Sequence, residues 1–93
     1  MKDYPEESDL KQIQEWDVIH DPFGLIKFIE TICWCNAIRY KGKKIWRVEF
    51  HTWGWSGNEE ILYALRENQM FFTLYWEKSI KGGHYYFKVY KLK

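Results

Sequence analysis

Few groupings of residues in the sequence could work together as a general base and its orienting partner. His51 follows Glu49 by two positions, and a bent strand would let the carboxylate orient the imidazole as a general base. His84 follows two glycines and, across a hairpin, would lie near Glu77 or Ser79. Each of these groupings is isolated in the sequence and belongs to no catalytic motif. We therefore expect a protein that is not an enzyme and that uses no cofactor.

The two cysteines, Cys33 and Cys35, are separated by one residue. A disulfide across so short a span is strained, and two cysteines cannot form a disulfide framework. Either thiol beside a histidine would form a nucleophile pair. For a zinc site, the histidines lack the required spacing to the cysteines. We expect two reduced thiols, as is typical of a cytoplasmic protein, and no metal site.

The segment from Trp53 to Glu60 combines two tryptophans, two glycines and the start of a predicted helix. Ser56 and Glu59 have the spacing of a capping box, which would begin that helix. Free amides at a helix start also attract anions, and glycine lets a ligand approach the backbone. Against an anion site, Glu59 and Glu60 are negatively charged, and the segment lacks the Gly-Lys-Ser/Thr ending of a phosphate-binding loop. Both interpretations stay open, and the candidate ligand residues are Trp53, Trp55, Ser56, Gly57 and Asn58.

The chain has 93 residues, of which 46% are hydrophobic, 29% charged and 20% aromatic. This composition predicts one globular domain over residues 1–93, with the polar residues 1–7 frayed. No apolar run reaches the roughly 18–20 residues that a membrane helix requires, and the acidic start of the chain does not resemble a secretory signal. The expected location is the cytoplasm, with no membrane partner.

Charge is divided unevenly along the chain, although the formal net charge is only +1. Residues 1–36 carry eight acidic and three basic side chains, which gives −5. Residues 37–93 carry eleven basic and five acidic side chains, which gives +6. Such a division indicates either a basic surface for an acidic partner or an acidic N-terminal segment packed near a basic sheet.

Periodicity and cap residues predict the order of helices and strands. The predicted elements are a short helix from Ser8, a helix over 22–34 begun by Asp21 and Pro22, a hairpin of strands 37–41 and 44–52, a helix over 57–68, and strands 70–80 and 84–91 joined by a glycine turn. The order α-α-β-β-α-β-β favours an α+β two-layer domain, in which a four-stranded, mainly antiparallel sheet carries helices on one face.

Alternation along the predicted strands assigns Trp46, Val48 and Phe50 to the face that packs on the helices. The opposite face mixes aromatic and cationic side chains, which is typical of an interaction site. Its candidate binding residues are Arg47, His51, Tyr75, Tyr86, Lys88 and Tyr90.

Three interpretations of this face stay open. The rings could pack on each other or on the N-terminal segment. The face could be a protein interface, including that of a homodimer. Alternatively, the tyrosines could stack on a nucleotide or on nucleic-acid bases while Arg47 and Lys88 hold phosphate.

Four blocks in the second half of the chain carry a resemblance. They read W-S-G-N-E-E from Trp55, M-F-F from Met70, W-E from Trp76 and G-G-H-Y-x-F from Gly82. This pattern, which covers about residues 53–87, resembles a group of small uncharacterised proteins encoded in phage and prophage genomes. The resemblance implies a phage origin. It also implies a binder of host factors, including components of host defence.

We therefore expect a phage-encoded, non-enzymatic binding protein of the host cytoplasm, with a host protein as its partner and a counter-defence role. The alternative is a protein that binds a small nucleotide-like anion or single-stranded nucleic acid. Self-association into a homodimer is the third possibility.

Overall fold

The sheet has four antiparallel strands, and the helices pack on it. The computed structural model describes residues 5–33, 37–52 and 56–92. In chain order the elements are α1 (Glu7–Gln14), α2 (Pro22–Ile32), β1 (Ile38–Lys41), β2 (Ile45–His51), α3 (Ser56–Glu67), α4 (Gln69–Tyr75), β3 (Trp76–Ile80) and β4 (His84–Tyr90). The strands lie across the sheet in the order β1-β2-β4-β3. The predicted α+β class with a four-stranded antiparallel sheet is confirmed.

β2 and β4 form the centre of the sheet. They pair from Ile45 opposite Tyr90 to His51 opposite His84 without a break in register. The alternation predicted for β2 is confirmed, because every second residue is buried. The buried residues of the two strands are Trp46, Val48, Phe50, Phe87 and Val89.

The core lies between this buried face and the helices. Apolar residues spaced three and four apart line one side of each long helix, and burying them holds the helix on the sheet. The aliphatic side chains of α2 and α3 that are fully or nearly fully buried are Leu25, Ile26, Ile29, Ile32, Ile61, Leu62, Ala64 and Leu65.

The first two helices begin at well-capped residues. Asp21 accepts a hydrogen bond from the backbone of Gly24 at 3.1 Å, and Pro22 occupies the first turn of α2, as predicted. In α1, Glu6 and Asp9 form a reciprocal capping box. Residue 6 is therefore a cap and residue 7 is helical, although the sequence predicts fraying there.

The prediction of a long strand over 70–80 is wrong for its first half. Residues Gln69–Tyr75 form helix α4, and β3 begins only at Trp76. The buried residues Phe71 and Tyr75 are four apart, as in a helix, whereas Met70 is exposed. The segment is apolar at nearly every position, so its sequence fits the two-residue period of a strand as well as the 3.6-residue period of a helix.

Asn68 explains why this segment is helical. Its side-chain oxygen accepts from the backbone N–H of Phe71 at 3.2 Å, which caps α4. Its side-chain amide donates to the carbonyls of Ile13 at 2.9 Å and Trp16 at 3.2 Å. Asn68, predicted as the end of one helix, thus also starts the next and ties it to the end of α1.

The prediction of a reduced thiol at residue 33 is also wrong. Cys33 is fully buried and is disulfide-bonded. Helix α2 ends at Ile32 rather than at residue 34, and Cys33 already has an extended backbone with φ −109° and ψ 160°. The chain has therefore left the helix before the Cys-x-Cys spacing begins; Cys35 itself lies outside the described residues.

The glycine turn predicted between the last two strands is confirmed. Gly82 and Gly83 have φ values of 105° and 86°, a region that other residues rarely adopt. The carbonyl of Gly83 accepts from the backbone N–H of Thr52 at 2.9 Å. The turn is thereby joined to the end of β2.

Candidate binding surface

The register of β2 and β4 leaves one face of the sheet open. We call this surface the outer sheet face, and it consists of Ile45, Arg47, Glu49, His51, His84, Tyr86, Lys88 and Tyr90. All eight side chains are exposed or half-buried, in contrast to the buried residues that alternate with them. Five of the six binding residues predicted on this face lie on it: Arg47, His51, Tyr86, Lys88 and Tyr90.

Tyr75 is the predicted face residue that the structure places elsewhere. It ends helix α4, is 1% exposed, and donates a hydrogen bond from its hydroxyl to the carbonyl of Tyr90 at 2.7 Å. Its ring meets the ring of Tyr90 edge-on, with centroids 5.0 Å apart. Burial, together with the nearby Tyr90, raises the pKa of the Tyr75 hydroxyl. Tyr75 is therefore a core residue, and its assignment to the binding surface is wrong.

Two cations lie side by side near the middle of the outer sheet face. Arg47 is directly opposite Lys88, an arrangement that like charges make unfavourable. Arg47 Nη1 lies 3.6 Å from Glu77 Oε1, but both side chains are about half-exposed, so this contact contributes little. Lys88 forms no ion pair with any residue that the structure describes. The pair therefore makes a local positive potential.

The opposite end of the face carries a chain of polar contacts. His51 Nδ1 lies 2.7 Å from His84 Nδ1, and His51 Nε2 lies 3.2 Å from Glu49 Oε1. Arg39 Nε donates to the same Glu49 oxygen at 3.4 Å. Both ring nitrogens of His51 are thus engaged, which leaves neither to take a proton from a substrate in this arrangement. The contacts instead hold the two strands and fix the His51 ring.

Tyr86 occupies the surface between these two regions. Lys78 Nζ lies 4.9 Å from the centre of its ring, and His51 meets the ring edge-on at 6.0 Å. Tyr90, in contrast, donates from its hydroxyl to the carbonyl of Leu74 at 3.4 Å. The hydrogen bond therefore holds the Tyr90 side chain at the α4–β3 junction. The Tyr86 ring contacts two neighbouring side chains, Lys78 and His51.

A groove of about 770 Å³ opens at the end of the sheet where β4 finishes. We call it the basic groove, and it is lined by Phe23, Lys43, Lys44, Ile45, Lys88, Tyr90 and Lys91. The sequence predicts only two of these as binding residues, Lys88 and Tyr90. The lysine-rich turn Lys41-Gly42-Lys43-Lys44 is a sequence signal that indicates a basic surface. Phe23 and Lys91 are distant from this turn in the sequence, and the fold brings them next to it.

The turn predicted to contact a ligand is only partly described, since Trp53 and Trp55 lie outside the described residues. Ser56 is exposed in the first turn of α3, which begins one residue earlier than predicted. Gly57 and Asn58 are buried, and the Asn58 amide donates to the carbonyl of His51 at 3.4 Å. Asn58 thus joins α3 to the end of β2.

A polar cleft of about 330 Å³ lies next to this turn. It is lined by Thr52, Glu59, Leu62, Tyr63, Arg66, Gly82, Gly83 and Tyr85. The Arg66 guanidinium lies 5.8 Å from the centres of both the Phe72 and the Tyr85 rings, which fix its position. None of the residues Ser56, Gly57 and Asn58 lines this cleft.

The described residues form neither a metal site nor a membrane span. Within residues 5–33, 37–52 and 56–92, no group of three His, Cys, Asp or Glu side chains could hold a metal ion. No helix in these same ranges is long and apolar enough to span a membrane.

The fold and this surface together define an α+β protein with one open, aromatic and cationic sheet face. The chain matches no protein-family model, no curated protein and no solved structure.

Proposed function

We propose that this protein is a non-enzymatic binding protein that uses the outer sheet face to contact an acidic surface of a partner protein. The observation that carries the proposal is the row formed by Arg47, Lys88 and Tyr86 on β2 and β4. Arginine and tyrosine are the residue types most often found at the centre of protein interfaces. Here they are exposed or half-buried on paired strands rather than on a loop.

The charge on this surface supports an acidic partner. Two carboxylates, Glu49 on this face and Glu77 beside it on β3, each lie near an arginine. Lys78 and Lys88 form no ion pair with a described residue, so their charge is uncompensated in the part of the chain that the structure describes. An acidic partner would supply that compensation and would enter the complex in a fixed orientation.

The biological setting of the proposal rests on the sequence resemblance. The blocks that begin at Trp55, Met70, Trp76 and Gly82 support a phage origin. On that basis the partner is a host protein of the cytoplasm, and the protein is a counter-defence factor that acts by occupying the partner's surface.

The test compares the protein with two double variants in capture from a bacterial lysate, followed by purification of any captured protein and measurement of its Kd. Arg47→Ala with Tyr86→Ala should weaken the complex at least 100-fold, because it removes about 3 kcal/mol of contact from two interface centres. Its melting temperature should change by only a few degrees, because both side chains are on the surface. Arg66→Ala with Tyr63→Ala changes the same residue types on α3 and should leave the complex intact.

Three results would contradict the proposal. One is equal binding by the two double variants. Another is a collapse of the melting temperature in Arg47→Ala with Tyr86→Ala, which would make the rings structural. The third is native mass spectrometry showing only integer multiples of the monomer mass, with no partner retained, which would indicate self-assembly.

A further inference from the structure

The basic groove continues on the other side of the β1–β2 turn. A second groove of about 280 Å³ is lined by Tyr40, Gly42, Lys43, Lys44, Ile45 and Arg47. The two grooves share Lys43, Lys44 and Ile45, so the turn forms a ridge with a groove on each flank. A compact anion would fill one groove, whereas a linear polyanion can lie across the ridge in both.

Among the residues that the structure describes, the lining is positive and includes no carboxylate. Its five cations are Lys43, Lys44, Arg47, Lys88 and Lys91. Among them, only Arg47 has a described ion-pair partner, Glu77 at 3.6 Å. Lys27 and Lys41 lie near the groove, since their ammonium groups are 5.8 Å and 4.9 Å from the ring of Trp46, which is stacked on the groove residue Phe23.

The turn that carries the central lysines is held in place. The backbone N–H of Gly42 donates to the carbonyl of Ile45 at 3.0 Å, which closes the turn. The Trp46 indole N–H donates to the carbonyl of Gly42 at 3.2 Å, and the Trp46 ring is stacked on Phe23 at 4.5 Å. The lysines therefore project from a fixed base, which lowers the entropy lost when they bind.

Aromatic side chains accompany the cations in both grooves. Tyr40, which is 59% exposed, lines the smaller groove, and Phe23 and Tyr90 line the larger one. A cluster of lysines alone can bind any anion. Aromatic rings beside the lysines favour a ligand that carries flat rings, such as bases, along a phosphate backbone. In a duplex these faces are stacked on each other, so only a single strand can present them.

We propose that the two grooves flanking the β1–β2 turn bind single-stranded nucleic acid. The lysines and Arg47 contact successive phosphates, and Tyr40 and the rings of the basic groove contact bases. Binding of this kind has little sequence preference, because every base has a face that can stack. This site goes beyond the proposed protein contact and depends on other residues, Lys43, Lys44 and Tyr40, although the two surfaces share Ile45, Arg47, Lys88 and Tyr90.

The first experiment measures binding of a fluorescently labelled oligothymidylate of about 12 nucleotides to the full chain by anisotropy. Five phosphate contacts at about 0.7 each give a salt slope near −3.5, so the Kd should rise about 100-fold between about 50 and 200 mM salt. No binding at about 50 mM salt would overturn the proposal and leave the protein-partner function untouched.

The variants locate the site. Lys43→Gln with Lys44→Gln should reduce the salt slope to about −2, since two phosphate contacts are lost. Lys11→Gln with Lys81→Gln makes the same charge change on α1 and on the β3–β4 turn, and it should keep the original slope. Equal slopes in the two double variants would overturn the assignment to these grooves, even if the protein binds the strand.

Two further measurements separate nucleic acid from other anions. Tyr40→Ala should weaken strand binding at least fivefold, which corresponds to about 1 kcal/mol of stacking. Polyglutamate of matched charge should bind much more weakly than the strand. If polyglutamate binds equally well and Tyr40→Ala has no effect, the grooves take acidic peptides and the proposal fails. The Lys43→Gln with Lys44→Gln variant should still hold a protein partner bound through Tyr86, so the two functions fail independently.

Discussion

Arg47 on β2 and Lys88 on β4 lie directly opposite each other on the outer sheet face. Opposed like charges destabilise a strand pair, and the half-exposed Glu77 offsets this only weakly. The protein therefore maintains a locally unfavourable pair at the point where the outer sheet face meets the basic groove. An anionic partner would relieve this repulsion on binding, which links the stability of the sheet to its proposed use.

The first prediction concerns this pair. Lys88→Glu replaces a repulsive cross-strand contact by an attractive one and should stabilise the fold by about 0.5 kcal/mol. The melting temperature should rise by about 2–4 °C at low salt, and the gain should shrink at high salt. The same change should weaken binding of both the acidic protein partner and the single strand. A variant that is less stable at low salt would show that the two cations do not repel each other.

Asn68 is the subject of the second prediction. Asn68→Ala removes the cap of α4 and leaves the carbonyls of Ile13 and Trp16 without their donor. The free energy of unfolding should fall by about 2–4 kcal/mol in a denaturant titration. Gln69→Ala, at an exposed neighbouring position, is the control and should stay within about 0.5 kcal/mol of the original protein. Equal losses in the two variants would refute the role assigned to Asn68.

Alkaline pH tests the buried hydroxyl of Tyr75. Its pKa is raised above the ordinary value of 10.0, first by burial and then by Tyr90. The unfolded chain therefore releases this proton at lower pH than the folded chain does, and the unfolding free energy falls as pH rises above about 10. Tyr75→Phe should remove this part of the alkaline loss, while costing about 1 kcal/mol at neutral pH for the hydrogen bond to Tyr90.

The measurement is urea unfolding of both proteins from pH 7 to pH 11. Tyr63→Phe, on the exposed surface of α3, is the control and should leave the pH profile unchanged. If Tyr75→Phe and the original protein lose stability in parallel above pH 10, Tyr75 ionises as easily in the fold as in the unfolded chain.

The fourth prediction separates two causes of strain in the glycine turn. Alanine at either Gly82 or Gly83 is disfavoured by the positive φ, at a cost of about 1–2 kcal/mol. At Gly83 the added Cβ would also collide with the Thr52 hydroxyl, whereas at Gly82 the nearest group is His84 Nε2 at 3.3 Å. Gly83→Ala should therefore be the more destabilising change. Adding Thr52→Ala should recover part of the difference; no recovery would exclude the collision.

Much of the fold was accessible from local sequence signals. Asp21 and Pro22 predicted the start of α2, and the alternation of Trp46, Val48 and Phe50 predicted the buried side of β2. The positive φ values at Gly82 and Gly83 follow from the need for a tight turn. Each of these signals acts within a few residues of the structure that it predicts.

The errors arise where distant residues decide the outcome. The segment of α4 is apolar at nearly every position, which predicts a strand as readily as a helix, and its cap Asn68 also bonds to Ile13, 55 residues away. The wrong placement of Tyr75 on the outer sheet face follows from the strand prediction. The basic groove is beyond local sequence signals for the same reason, because Phe23 and Lys91 meet at it although they are far apart in the sequence.

The junction between Tyr75 and Trp76 has no loop, since α4 passes directly into β3. A single inserted residue at this point would either shift β3 by one position against β4, exchanging its two faces, or pull Tyr75 away from the Tyr90 carbonyl. Length variation is therefore expected to be tolerated poorly at this junction. An engineered peptide insertion should disrupt the sheet here more than an equal insertion at the exposed Lys81 turn would.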